Sequence, residues 1–76
     1  MQQTLSELKI DDMAEIVCLN LCGAIRRRLQ DVGFIPGARI QCILKNPCCD
    51  LCAYWVRGAA IAIRKCESDR IIVRRM

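Results

Sequence analysis

Histidine is absent from this 76-residue chain, and its aromatic residues are Phe34, Tyr54 and Trp55 alone. The first lack removes the side chain best suited to acid–base work near neutral pH and the usual nitrogen ligand of zinc. The second leaves little surface on which unpaired bases could stack. Apolar residues make up 54% of the sequence, yet they come in short pieces such as Ile16 to Leu19, Ile40 to Leu44 and Ala59 to Ile63, each broken by charge or glycine. None approaches the roughly 18 consecutive residues of a membrane-spanning helix. Met1 to Glu7 carries neither the basic start nor the long apolar stretch of a secretory signal, so a cytoplasmic protein without membrane insertion is expected. A Gly-rich phosphate loop and a paired acid and base are also missing, and an enzyme is not expected. With no linker, repeat or low-complexity tract, residues 1–76 read as a single domain.

Twelve Lys and Arg face eight Asp and Glu, for a net charge of +4. The excess suits an acidic partner, but its size makes nucleic acid an unlikely one. Seven cysteines would suggest a disulfide framework in a secreted chain. Here the odd number and the missing export signal favour reduced thiols, several of them compact core side chains.

Thr4-Leu5-Ser6-Glu7-Leu8 places a hydroxyl three residues before a glutamate, a turn or helix start that could close one end of a barrel. Ala14 to Leu21 reads as a first strand. Ile25, Leu29 and Val32 then recur at helical spacing with Arg26, Arg27, Arg28, Gln30 and Asp31 between them, predicting one amphipathic helix over Ala24 to Val32. Gly33 ends it, and Pro36-Gly37 suits the centre of a type II turn. Arg39 to Lys45 alternates, with Ile40, Cys42 and Leu44 expected on one face. Leu51 to Arg57, Ala60 to Lys65 and Ile71 to Arg74 complete about five strands, with turns at Gly58 and at Glu67-Ser68-Asp69. The expected fold is mainly β, a small SH3-like barrel with one short α-helix after the first strand, since closing a sheet removes the edges that short strands would expose.

The stretch from Gly23 to Gly37, with its Arg28-Leu29 pair leading to Gly33-Phe34-Ile35-Pro36-Gly37, resembles the signature of the FeoA family. Thr4 to Leu8, Val56 to Arg64 and Ile71 to Val73 extend the likeness over nearly the whole chain. The resemblance implies a cytoplasmic accessory or regulatory protein of ferrous iron uptake that acts through contact with FeoB, a membrane ferrous-iron transporter carrying a GTPase domain. The same fold occurs in metal-dependent transcriptional repressors, which keeps a nucleic-acid-associated regulatory module as an alternative.

Within the motif, Gly33, Pro36, Gly37 and Leu29 are explained by backbone geometry and packing. The arginines differ: at ~100° per residue, Arg26, Arg27 and Arg28 spread over about 200° of helix surface, and at least one should lay its stem on the core. Arg26, Arg27, Phe34 and Ile35 are the expected partner-binding residues, charged or apolar groups that a turn could lift from the barrel. No cofactor is required. Cys48, Cys49 and Cys52, in a turn between strands, are nevertheless candidates to take up a soft divalent ion, Fe or Zn. A zinc-ribbon alternative would join Cys18 and Cys22 to Cys49 and Cys52, while Cys42 reads as core.

Overall fold

Alternating apolar residues decide which face each strand buries, and turn residues decide where each strand stops. The computed structural model describes residues 2–46 and 50–76. The strands are β1 (Gln2–Thr4), β2 (Met13–Leu19), β3 (Arg39–Lys45), β4 (Leu51–Val56), β5 (Ala59–Arg64) and β6 (Ile71–Arg75). They form one antiparallel sheet in the order β1-β6-β2-β3-β4-β5. Helix α1 (Gly23–Asp31) lies between β2 and β3, and the single helical turn α2 (Lys65–Ser68) takes in Glu67 and Ser68 of the expected turn together with Lys65, expected as the end of the strand before it.

The sheet has six strands rather than about five. The addition is β1, three residues paired Gln2↔Arg74, Gln3↔Val73 and Thr4↔Ile72. After it Leu5–Glu7 make one turn of 3₁₀ helix, where the Glu7 carboxylate accepts from the Thr4 N–H at 3.3 Å and the Thr4 hydroxyl at 3.0 Å. That turn closes one end of the barrel: Leu5 and Leu8 are fully buried, and the Tyr54 hydroxyl donates to the Leu5 carbonyl at 3.4 Å. Ser6 donates to the Asp69 carboxylate, and that bond, together with the Lys65 ammonium, holds the Asp69 pKa below its ordinary value.

From β2 the core takes Ala14, Ile16 and Leu19, from β3 Ile40 and Cys42, and from β4 Cys52, Tyr54 and Val56. Leu44 does not join them. The β3–β4 register shifts between Cys42 and Leu44, a bulge that adds one residue and reverses the facing of everything after it. Leu44 is therefore 61% exposed, while Lys45, next on the inner side, donates to the Ser6 carbonyl at 3.2 Å. β4 ends at Val56, one residue earlier than expected. Arg57 (φ 49°) and Gly58 (φ 83°) form the two-residue link to β5, both left-handed as a type I′ hairpin requires.

The last turn of α1 explains the burial of Phe34. Gly33 N–H donates to the Gln30 carbonyl at 3.1 Å and Phe34 N–H to the Leu29 carbonyl at 2.9 Å, the two bonds of a Schellman cap, in which the residue after the glycine packs on the helix residue five before it. Leu29 and Phe34 both lie in the core. Ala38 N–H then donates to the Ile35 carbonyl at 3.0 Å across Pro36-Gly37, with Gly37 at φ 91°, the positive φ that a type II turn needs. Two bonds fix this turn to β2: Gly37 N–H to the Ile16 carbonyl at 2.7 Å and Ile16 N–H to the Ala38 carbonyl at 2.9 Å.

Phe34→Ala is expected to lower unfolding free energy by ~3–5 kcal/mol, as loss of a buried aromatic does, and Ile35→Ala by roughly 1 kcal/mol or less. Guanidinium denaturation of both variants measures the difference. Tyr54 gives a pH prediction. Burial raises its phenol pKa well above the ordinary value, with Cys52 and Cys42 adding to the effect. A raised folded pKa means that the stabilisation is complete below the unfolded pKa, about 10, and is lost as pH climbs beyond it. Stability should fall above about pH 10, and tyrosinate absorbance should rise together with unfolding instead of preceding it.

Candidate functional site

Of the nine residues of α1 only Leu29 is buried. Ile25, at 43%, and Val32, at 38%, stay substantially exposed. Of the apolar stripe Ile25, Leu29 and Val32, the barrel covers only the middle residue.

The three arginines separate as consecutive helical residues must. Arg28 points toward α2, where its guanidinium meets the Glu67 carboxylate at 3.7 Å. Arg26 and Arg27 share the outer face with Gly23 and Gln30 around a shallow depression. Neither forms an ion pair among the described residues. All three arginines are exposed.

Among the expected partner-binding residues, Arg26, Arg27 and Ile35 are exposed, with Ile35 at the start of the Pro36-Gly37 turn. Phe34 is not: its exposure is 0%. It is a core residue placed by the helix cap and offers nothing to a partner. The chain carried the signal for this, a Leu-x-x-x-Gly-Phe spacing from Leu29 to Phe34 in which the apolar residue after a capping glycine turns inward. Gly33 itself (φ 117°) is covered from above by Arg57, whose Cδ would lie 2.7 Å from a Cβ at that position, so the helix cap and the β4–β5 turn touch. Ile25 and Val32, the other apolar positions of the amphipathic helix, are exposed like Arg26, Arg27 and Ile35.

Cys48 and Cys49 lie outside the described residues. Cys52 is 4% exposed and sits on the inner face of β4 between Leu51 and Ala53, in the same core as Tyr54, so it is not part of an accessible thiol group. Burial likewise raises the Cys42 thiol pKa, partly offset by Lys45, which keeps it protonated and a poor ligand. Cys22 and Cys66 are exposed and Cys18 partly so. No three cysteine or acidic side chains converge among the described residues.

The geometry defines a small SH3-like β-barrel with a lightly seated cationic helix at one end. The sequence profile of the FeoA domain matches residues 3–75, and the chain belongs to the FeoA family, which is linked to ferrous iron transport. The solution structure of FeoA from Chlorobium tepidum superposes with a TM-score of 0.93 at 32% identity, over 97% of this chain and 70% of that one. The crystal structure of an iron uptake regulatory protein, FeoA, superposes with a TM-score of 0.86 at 30% identity, covering 100% of this chain and 99% of its own. FeoA from Stenotrophomonas maltophilia, a prokaryotic SH3 domain protein crystallised with zinc, gives 0.81 at 29% identity over 93% and 88% of the two chains. No curated protein matches the sequence. No helix among the described residues is long and apolar enough to cross a membrane.

Residue-resolved thiol alkylation tests the placement of the cysteines. Cys22 and Cys66 should label rapidly in the native protein. Cys42 and Cys52 should resist until it unfolds, and rapid native labelling of Cys52 would contradict its place in the core.

Proposed function

We propose that this protein is a cytoplasmic accessory factor of ferrous iron uptake that performs no catalysis and binds the cytoplasmic part of a FeoB-type membrane transporter through α1 and the turn after it. The observation that carries this reading is the outer face of α1, where Arg26 and Arg27 stand exposed and without ion-pair partners among the described residues. Ile25, Val32 and Ile35 lie exposed nearby in sequence. Arginine beside aliphatic side chains is the composition of an interface anchor, and unpaired guanidinium groups suit an acidic docking surface. Membership of a family linked to ferrous iron transport supports the choice of partner. The Schellman cap supports the choice of surface, because it holds helix and turn rigidly together and lowers the entropy lost on docking.

Reversing both arginines, Arg26→Glu with Arg27→Glu, should slow association with the cytoplasmic region of a FeoB-type transporter by about tenfold at low salt. It should also flatten the salt dependence of the on-rate and leave the domain folded. Surface plasmon resonance over a range of ionic strength measures both, and an unchanged on-rate in the folded double variant removes α1 from the interface.

A further inference from the structure

The two ends of α1 are held unequally. Its C-terminal end is closed by the backbone bonds around Gly33 and by Leu29 and Phe34 in the core. Its N-terminal end has no such closure. Cys22, which precedes the helix, makes no capping bond through its side chain, and the first turn holds no acidic residue. Gly23, the first residue of the helix, has φ 69°, outside the helical region. Charge also runs against the helix dipole. Arg26 and Arg27 stand toward the positive end without ion-pair partners among the described residues, and Asp31 stands at the negative end.

Packing adds little over the same stretch. Every residue from Cys22 to Arg28 is exposed. A hollow of about 380 Å³ separates Ile25 and Arg28 from Arg64, Cys66 and Glu67, so this half of the helix spans unfilled space, the mark of a segment with low local stability. The ion pair that crosses the hollow, Arg28 to Glu67, is 3.7 Å long and its arginine is 71% exposed. Such a pair holds weakly in water. On the strand side the chain is fixed again, by the Asn20 N–H bonded to the Arg70 carbonyl at 2.7 Å and by Leu21 packed against the core. The exposed segment is therefore strung between anchors at Leu21 and Leu29. The closure at Leu29 serves as the helix nucleus, and each further residue toward Cys22 adds with a propagation constant of about 1, lowered by the glycine and the missing cap. Helix and open chain are close in free energy there.

We propose that Cys22 to Arg28 form a local order–disorder switch: in the free protein this segment opens while the barrel and the Schellman closure stay folded, and an acidic docking surface closes it. Carboxylates brought against Arg26 and Arg27 relieve the crowding of like charge and face the positive end of the dipole. Docking and completion of the helix are then one event, and affinity depends on the fraction of molecules already closed. That coupling rests on the reading of α1 as the docking surface, whereas the opening of the free chain does not.

Amide exchange of the full chain, resolved by NMR, tests the opening. The N–H groups of Arg26, Arg27 and Arg28 should be protected at least about 100-fold less than those of Phe34 and Ile16, and their exchange should be insensitive to low guanidinium. Equal protection in the two sets would make α1 part of the cooperative barrel and overturn the switch. Cys22→Ser supplies a neutral cap and should slow exchange at the three arginines about threefold without changing it at Ile16. Ala24→Gly, at an exposed position, should speed it by a similar factor yet leave the guanidinium midpoint of the barrel nearly unchanged. A midpoint lowered in proportion would again overturn the switch. Ala24→Gly should also bind the cytoplasmic region of a FeoB-type transporter about threefold more weakly, because fewer molecules are closed, and an unchanged affinity would overturn the coupling. Arg26→Glu with Arg27→Glu should associate more slowly but protect Arg28 better, since the charge at the positive end is reversed. If the unaltered chain does not bind the transporter, the docking reading falls and the coupling with it, while exchange in the free chain still decides whether the segment opens.

Discussion

A nine-residue helix with one buried side chain has little intrinsic reason to persist, because isolated helices of that length are marginal in water. What holds α1 on the barrel is its C-terminal closure. The two backbone bonds around Gly33 turn the chain so that Phe34 enters the core beside Leu29, and burial of a Phe side chain is worth ~1.5–3 kcal/mol. Every later part of the motif continues that turn. Gly33 lies under the stem of Arg57, Pro36-Gly37 directs the chain back to Ile16, and β3 begins two residues later at Arg39. Removing the closure would free the helix and also loosen the start of the central hairpin.

The opposite requirement, keeping water out of a small core, falls to the N-terminal segment. Leu5 and Leu8 insert at one end, Tyr54 bonds the Leu5 carbonyl, and Lys45 bonds that of Ser6. The Leu5 carbonyl, which also accepts from the Leu8 N–H at 3.2 Å, and the Ser6 carbonyl are thereby tied to side chains of β4 and β3. No buried side-chain nitrogen or oxygen among the described residues lacks a partner, which is how a core of 15 apolar residues tolerates a phenol, an ammonium group nearby and the buried Ser68. Surface ion pairs such as Arg74–Glu15 at 2.6 Å sit across the β2–β6 ladder and add at most about 1 kcal/mol each.

Strand and helix positions were legible where a period ran uninterrupted for six or more residues, as in β3 and β4, and where glycine or proline marked the ends. What escaped depended on contacts distant in sequence. β1 is three mostly polar residues that become a strand only because β6 lies alongside. The facing of Leu44 turned on a bulge that leaves no mark in an alternating sequence. Ile25 and Val32 sat at core spacing, but how much of a helical stripe is covered depends on the width of the surface beneath it. Phe34 was readable, since the capping glycine before it specifies its direction. Cys52 was taken for a turn residue because of its cysteine neighbours, although it alternates with Tyr54 and Val56 on the buried side of β4.

The β1–β6 pairing sets Gln2 opposite Arg74, so the two ends of the domain leave the sheet roughly one strand spacing apart, about 5 Å. A few glycines could bridge that gap, and the chain could then be reopened between Arg57 and Gly58, where no side chain enters the core. The fold is therefore a closed circuit whose starting point is arbitrary, and the same property lets it be set into a surface loop of another protein with both junctions at one seam.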